Sequence, residues 1–198
     1  CTPSPFQREN GNEAVLRSLS VLLVEDNPGD RRLTEVALQD AARDAGLRCA
    51  VAAVGSLASA LAEVEKRAAE TDAILLDLDL PDALGLEGLR SMRSAAPSVP
   101  IIVLTGLSDL RIAADALHNG AGDYLEKGEV QPRLLVRAIR YAIERRKSEA
   151  ELLRLARTDP LTGLLNRRAF FEQLESALVQ ARRSELSCAV ILFDVDHF

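Results

Sequence analysis

The run Ile74-Leu75-Leu76-Asp77-Leu78-Asp79-Leu80-Pro81-Asp82 carries three apolar residues straight into a carboxylate, and a proline follows. A short apolar run closed by proline reads as a buried strand that stops abruptly. Asp77 then sits at that strand's C-terminal lip, where ligands gather in open parallel α/β sheets. A carboxylate so placed can serve as a nucleophile, as a metal ligand, or only as a cap for the next loop. Three further strand-like runs end in reactive groups: Glu25-Asp26 after SVLLV, Thr105 after PIIVL, and Lys127 after DYLE. Clustered acids repel, so they favour a hard divalent cation with oxygen ligands, and Mg2+ fits that description. A metal, a carboxylate, a hydroxyl and a fixed ammonium together are what phosphoryl transfer to a carboxylate requires.

Five strands are predicted to carry these groups, at residues 20–25, 48–54, 74–77, 100–105 and 123–126. Helices are predicted between them. The first runs from the Asn27-Pro28-Gly29-Asp30 turn to about Ala45, with Leu33, Val36, Ala37 and Ala41 on one face. The second is capped by Ser56 and reaches about Glu70, the third covers 86–95, and the fourth covers 109–118 before Asn119-Gly120. Strands alternating with helices at this spacing imply an α/β fold, a five-stranded parallel doubly wound sheet. The strands are continuously apolar, as burial on both faces demands.

A long helix is expected over 131–158, roughly 42 Å at 1.5 Å per residue. Leu135, Ala138, Ile139 and Ala142 would pack its first half on the sheet. Ile143, Ala150 and Leu153 make a thin stripe in its second half, suited to a helix–helix seam and so to a homodimer. Its eight basic residues against three acidic ones read as a solvated face. Asp159-Pro160 breaks the helix, Asn166 caps another to about Arg183, and residues 187–193 read as a strand. That strand has no partner in the sequence, so the last unit is expected to be truncated.

The bulk numbers exclude several classes. Net charge is −6, which argues against nucleic acid as a partner. The apolar runs are too short for a membrane span, and no signal-peptide core is visible near the N-terminus. Cys1, Cys49 and Cys188 lack metal spacing and are expected as buried free thiols in a reducing cytoplasm. Beginning at Cys1, the chain reads as processed or trimmed. His118 near a helix end suits a dipole contact, and His197 beside Asp194 and Asp196 is weak as a metal motif.

Glu25-Asp26, Asp77-x-x-Leu80-Pro81 with Gly85, Thr105-Gly106 and Tyr124-x-x-Lys127 resemble the receiver domain of bacterial two-component response regulators, over about residues 18–147. The resemblance implies a flavodoxin-like fold in which Asp77 accepts a phosphoryl group from a cognate histidine kinase or phosphotransfer protein. It implies that Asp26, Asp77 and the Asp79 main-chain carbonyl hold Mg2+, with Glu25 supporting. Lys127 would pair with the acyl phosphate, Thr105 would swing toward it, and Tyr124 would follow. Asp79 would be a loop carboxylate influencing dephosphorylation. Gly128 departs from the family, where a cis-proline often follows the lysine. Haloacid-dehalogenase-type phosphatases share the Asp77-Leu78-Asp79 spacing, but their metal-binding acids follow the nucleophile, whereas Glu25-Asp26 precedes it.

The string Asp159-Pro160-Leu161-Thr162-Gly163-Leu164-Leu165-Asn166-Arg167-Arg168, with Phe193-Asp194-Val195-Asp196 later, resembles the opening of a GGDEF domain, the diguanylate cyclase family. In that family Asp194 and the Val195 carbonyl would hold metals at a GTP site. The signature hairpin would lie past Phe198, so GTP would be a ligand of a complete protein only and the chain as given is expected to be inactive as a cyclase. The implied organisation is a flexible tail at 1–16, a receiver at 17–147, a helical linker at 148–158 and a GGDEF fragment at 159–198. The implied function is a response regulator whose receiver controls a cyclase through dimer geometry. The alternative is a receiver used only for signalling or assembly.

Overall fold

The computed structural model describes residues 6–7, 15–16, 18–106, 110–129, 131–184, 186–191 and 193. The chain divides into two compact units, Cys1–Lys147 and Ser148–Phe198.

The first unit is built on a parallel sheet of β1 (Ser18–Val24), β2 (Arg48–Val54), β3 (Ala73–Asp77), β4 (Ile101–Thr105) and β5 (Asp123–Glu126). Their order across the sheet is β2-β1-β3-β4-β5, the doubly wound arrangement of the flavodoxin-like fold. Central β3 and β4 are buried at every position, because helices cover both faces. Edge strand β2 is mostly half-buried. The register sets Val24 opposite Leu76, Leu76 opposite Val103, and Thr105 opposite Glu126. The strands' C-terminal ends therefore share one edge.

The helices are α1 (Pro28–Asp44), α2 (Leu57–Arg67), α3 (Leu86–Ala95), α4 (Leu110–His118) and α5 (Pro132–Arg157). A short 3-10 turn, Ala68–Glu70, extends the second to its expected limit. On one face, Leu22, Ile74, Leu76 and Val103 pack with Val64, Leu89 and Met92 of α2 and α3. On the other, Leu23, Leu75 and Leu104 pack with Leu38 of α1 and Leu135 and Ile139 of α5.

Local chemistry explains the starts and stops. The Asn27 side chain accepts from the Gly29 and Asp30 amides, and Pro28 occupies the first turn of α1, where a missing N–H costs nothing. Ser56 caps α2 through the Ser59 amide. Between β3 and α3, Asp79–Leu80 pairs antiparallel with Ala83–Leu84, and Gly85 turns out of this hairpin at φ 60°, where side chains are strained.

Four expectations are corrected. The apolar face of α1 is Thr34, Leu38, Ala41 and Ala42, whereas Leu33 is 71 % exposed and Val36 is exposed too. The segment expected as a loose tail holds a short antiparallel pairing of Phe6–Gln7 with Val15–Leu16. No strand forms among the described residues of 186–193, which lack a neighbour to complete a ladder. Cys188 on that segment is exposed and Cys49 on edge strand β2 is half-buried, so neither thiol is a core residue.

In the second unit, Thr158 bridges to Leu165, and Asp159 Oδ1 accepts from the Leu161 amide, the Thr162 amide and the Thr162 hydroxyl. Those bonds, the Thr162 amide first, hold the Asp159 carboxyl below its usual range. Gly163 completes the turn at φ 70°. Asn166 caps α6 (Arg167–Arg183) through the Ala169 amide, and its own side-chain amide donates to the Ala156 carbonyl at 2.8 Å. Glu172 joins Arg157 and Arg168, each at 3.0 Å. The Asp159–Asn166 string is thus a self-bonded turn between two helices.

Candidate functional site

The C-terminal edge of the sheet gathers polar side chains that the core would otherwise exclude. Glu25 follows β1 and is fully buried, Asp77 ends β3 at 2 % exposure, and Thr105 ends β4 at 1 %. Each is placed by the apolar strand before it, whose burial fixes where the chain emerges. Lys127 follows β5 in a 3-10 turn, Lys127–Glu129, and its ammonium enters the cluster. Nζ lies 2.6 Å from Glu25 Oε2 and 2.9 Å from Asp77 Oδ2. Buried carboxylates are tolerable only when so compensated.

The supporting contacts restrict each group. The Asn27 amide donates to Glu25 Oε1 at 3.1 Å, and the Asp79 amide donates to Asp77 Oδ1 at 3.2 Å. Glu25 Oε2 has no hydrogen bond of good geometry despite its closeness to Lys127. Burial pushes the Glu25 carboxyl above its ordinary range, against the opposing effect of Lys127. Burial also works to lower Lys127, but hydrogen bonds and charge from Glu25 and Asp77 outweigh it and hold the ammonium strongly protonated.

Carboxylate oxygens of Glu25, Asp26 and Asp77 lie within 4.8 Å of one another, with Asp26 exposed. Three oxygen donors, one facing solvent and one without a good hydrogen bond, fit a hard divalent cation such as Mg2+.

Of the residues singled out in sequence, Glu25, Asp26, Asp77 and Lys127 meet here, and Thr105 stands at the end of the neighbouring strand. Tyr124 is half-buried on β5 against the core. Asp79 is exposed, and its amide is the group in contact with Asp77. Gly128 sits in the turn after Lys127 with a trans peptide, since no cis bond occurs among the described residues. Asp194, Val195, Asp196 and His197 lie outside the described residues.

Three residues escaped the sequence reading. Asp30, taken there as part of a capping turn, places Oδ2 at 3.3 Å from Lys127 Nζ. Arg31 donates Nε and Nη2 to the Glu25 carbonyl at 3.1 and 2.7 Å, bracing the acidic turn. Asp82, in the loop after Asp77, accepts from the Leu57 and Ala58 amides at 2.8 and 2.9 Å, tying that loop to the start of α2. The Ala58 and Leu57 amides hold the Asp82 carboxyl below its usual range. Asp30 and Asp82 depend on long-range placement, whereas the Arg31 contact spans six residues and only the turn chemistry of Asp30 was read locally.

The family model of the response regulator receiver domain matches residues 21–140, and that of the diguanylate cyclase GGDEF domain matches residues 156–198. The chain is similar to the KDP operon transcriptional regulatory protein KdpE of Escherichia coli, 39% identical over 127 residues, covering 62% of this chain and 52% of the relative. It is also similar to the cell cycle transcriptional regulator CtrA of Caulobacter vibrioides, 29% identical over 67% of this chain and 54% of the relative. The chain thus spans about half the length of these curated relatives. Among solved structures, a response regulator receiver domain protein from Clostridium thermocellum matches with TM-score 0.57 and 26% identity, over 66% of this chain and 98% of that one. The receiver domain of a sensor histidine kinase from Pseudomonas aeruginosa, described with magnesium coordinated in its active-site cleft, matches with TM-score 0.53 and 30% identity, over 64% and 98%.

Proposed function

The chain belongs to the response regulator receiver family, and from that premise we propose that Asp77 is its phosphoacceptor. The observation that carries this reading is the close grouping of a buried nucleophile, two further acids and one ammonium at a single sheet edge. The Asp77 carboxylate attacks phosphorus, the bond from phosphorus to the donor's leaving group (P–N in a phosphohistidine) breaks with its electron pair going to that group, the imidazole nitrogen, and an acyl phosphate remains on Asp77. The Asp79 amide fixes the attacking carboxylate's rotamer. Lys127 balances charge on the transferring oxygens, and its strongly protonated state keeps that charge constant. Mg2+ would be held by Asp26, Asp77 and the Asp79 carbonyl, with Glu25 in support, and supplies positive charge at the transferring oxygens when bound. Thr105 would donate its hydroxyl to the phosphoryl group, and Tyr124 would move with it.

The phosphodonor would be a histidine kinase or phosphotransfer protein, in the cytoplasm. A GGDEF domain completed in a longer protein would make cyclic di-GMP from two GTP, using metals at Asp194 and Val195. We read α5 as the element through which receiver dimerisation controls that output. Of the expected stripe, Ala150 and Leu153 are exposed and support a helix–helix seam, whereas Ile143 is buried in the receiver core.

Sedimentation with and without beryllofluoride tests the control step. Beryllofluoride with Mg2+ should change the dimer fraction by about 5–150-fold in association constant, and Thr105→Ala should retain the ligand while losing the response. An unresponsive wild type that nevertheless binds beryllofluoride leaves the acceptor role standing and removes the dimer control.

A further inference from the structure

Lys127 has a third carboxylate neighbour that stands outside the acceptor set. Asp30 Oδ2 lies 3.3 Å from its ammonium, beside Glu25 at 2.6 Å and Asp77 at 2.9 Å. Asp30 occupies the first turn of α1, where an acid ordinarily turns back to the capping residue's amide. That amide, from Asn27, is already donated to Glu25 Oε1. The Asp30 carboxylate instead reaches across to Lys127, linking α1 to the turn after β5. Its side chain is 41 % exposed, against 0 % for Glu25 and 2 % for Asp77, so it stands on the solvent side of the ammonium.

Resting on the acceptor reading above, we propose that Asp30 is a positioning residue that weakens the site's hold on a phosphoryl group by sharing Lys127 and repelling the incoming anion. The charge count motivates it. One ammonium already serves three carboxylates, and Asp26 adds a fourth acid nearby. A phosphoryl group brings roughly two further negative charges. Arg31 cannot offset Asp30 in its observed pose, since its guanidinium is turned to the Glu25 carbonyl. Among the described residues, the ion pair to Lys127 is the one that Asp30 makes. Binding the anion must therefore draw Lys127 away from Asp30 and leave two negative groups facing each other.

The competing role is plain helix capping, because an acid in the first turn also favours the helix dipole. The two roles separate on charge at constant shape. Beryllofluoride affinity of the whole chain is measured by fluorine NMR, with Mg2+ in excess, for wild type, Asp30→Asn and Asp30→Glu. Melting temperatures are taken without ligand. Asp30→Asn is expected to bind about three- to tenfold tighter, the scale of removing one partly screened charge, whatever its melting temperature, and Asp30→Glu should stay near wild type. A wild type that binds while Asp30→Asn binds equally or more weakly overturns the inference and spares the acceptor reading. A wild type that binds no beryllofluoride overturns both.

Discussion

Two carboxylate–lysine pairings lie at opposite ends of the same sheet, and their two lysines answer burial with opposite net results. At the C-terminal edge Lys127 touches Glu25 and Asp77, and contact with them outweighs burial and raises the ammonium's pKa. At the N-terminal edge Asp72 is half-buried, accepts from the Ser20 amide at 2.8 Å, and lies in the field of Lys147. There burial is the larger influence: it raises Asp72, lowers Lys147, and with Asp72 nearby raises the Cys49 thiol. The difference is direct contact. Contact with Glu25 and Asp77 holds the Lys127 ammonium charged against its burial, whereas Lys147, in the field of Glu144 and Asp72, follows its burial; the acids Glu25 and Asp72 are both raised by burial. One edge is thus set to meet ions, and the other to close a strand end.

The largest effect should come from removing the ammonium. Lys127→Met leaves buried Glu25 and Asp77 facing each other, at a cost of about 3 kcal/mol near neutral pH. Without the cation the Glu25 carboxyl, already raised by burial, should titrate further above its unfolded value. Stability tied to its protonated form is present at low pH and lost as pH rises, so the deficit should shrink toward pH 5. Urea denaturation at the two pH values reads this, and a deficit independent of pH would break the contrast. Added Mg2+ should recover more stability in this variant than in wild type.

Asp82→Ala should come next, lowering the melting temperature and speeding hydrogen exchange at Leu57 and Ala58, whose amides lose their acceptor. Unchanged exchange there would show that Ser56 alone secures the helix start.

Asp72→Asn should do less and with a definite pH signature. The folded Asp72 carboxyl titrates above its unfolded value near 3.9, so its contribution is fully present below that value and lost as pH rises through the folded pKa. Wild type should lose ground to Asp72→Asn as pH rises above about 4, by less than about 1 kcal/mol. A constant difference across that window would contradict the burial account. Lys147→Met should change stability least and leave Mg2+ affinity alone, which sharpens the contrast with Lys127.

Much of this was legible in the sequence, for physical reasons that also mark its limit. Ile74–Asp77 and 101–105 declare themselves because doubly covered strands must be apolar throughout, and the lips follow from where apolarity ends. Arg48–Val54 was legible as a strand but not as the half-buried edge, since rank in a sheet is set by topology. The face of α1 was misread because Leu33 and Val36 look like core residues, yet the sheet is met by Thr34 and Leu38. Residues 187–193 have strand propensity, yet no ladder forms among the described ones. Asp30 and Asp82 act on groups 97 and 25 residues away, and no local pattern encodes such a meeting.

The most direct measurement is mass mapping of the chain after exposure to a small acyl phosphate with Mg2+. The expected result is a single phosphoryl adduct on the peptide containing Asp77, absent in Asp77→Asn and reduced when Asp26→Asn weakens the metal site. An undiminished adduct in Asp77→Asn, or one mapping to Asp72 at the opposite edge, would contradict the assignment of phosphoryl chemistry to the C-terminal edge of the sheet.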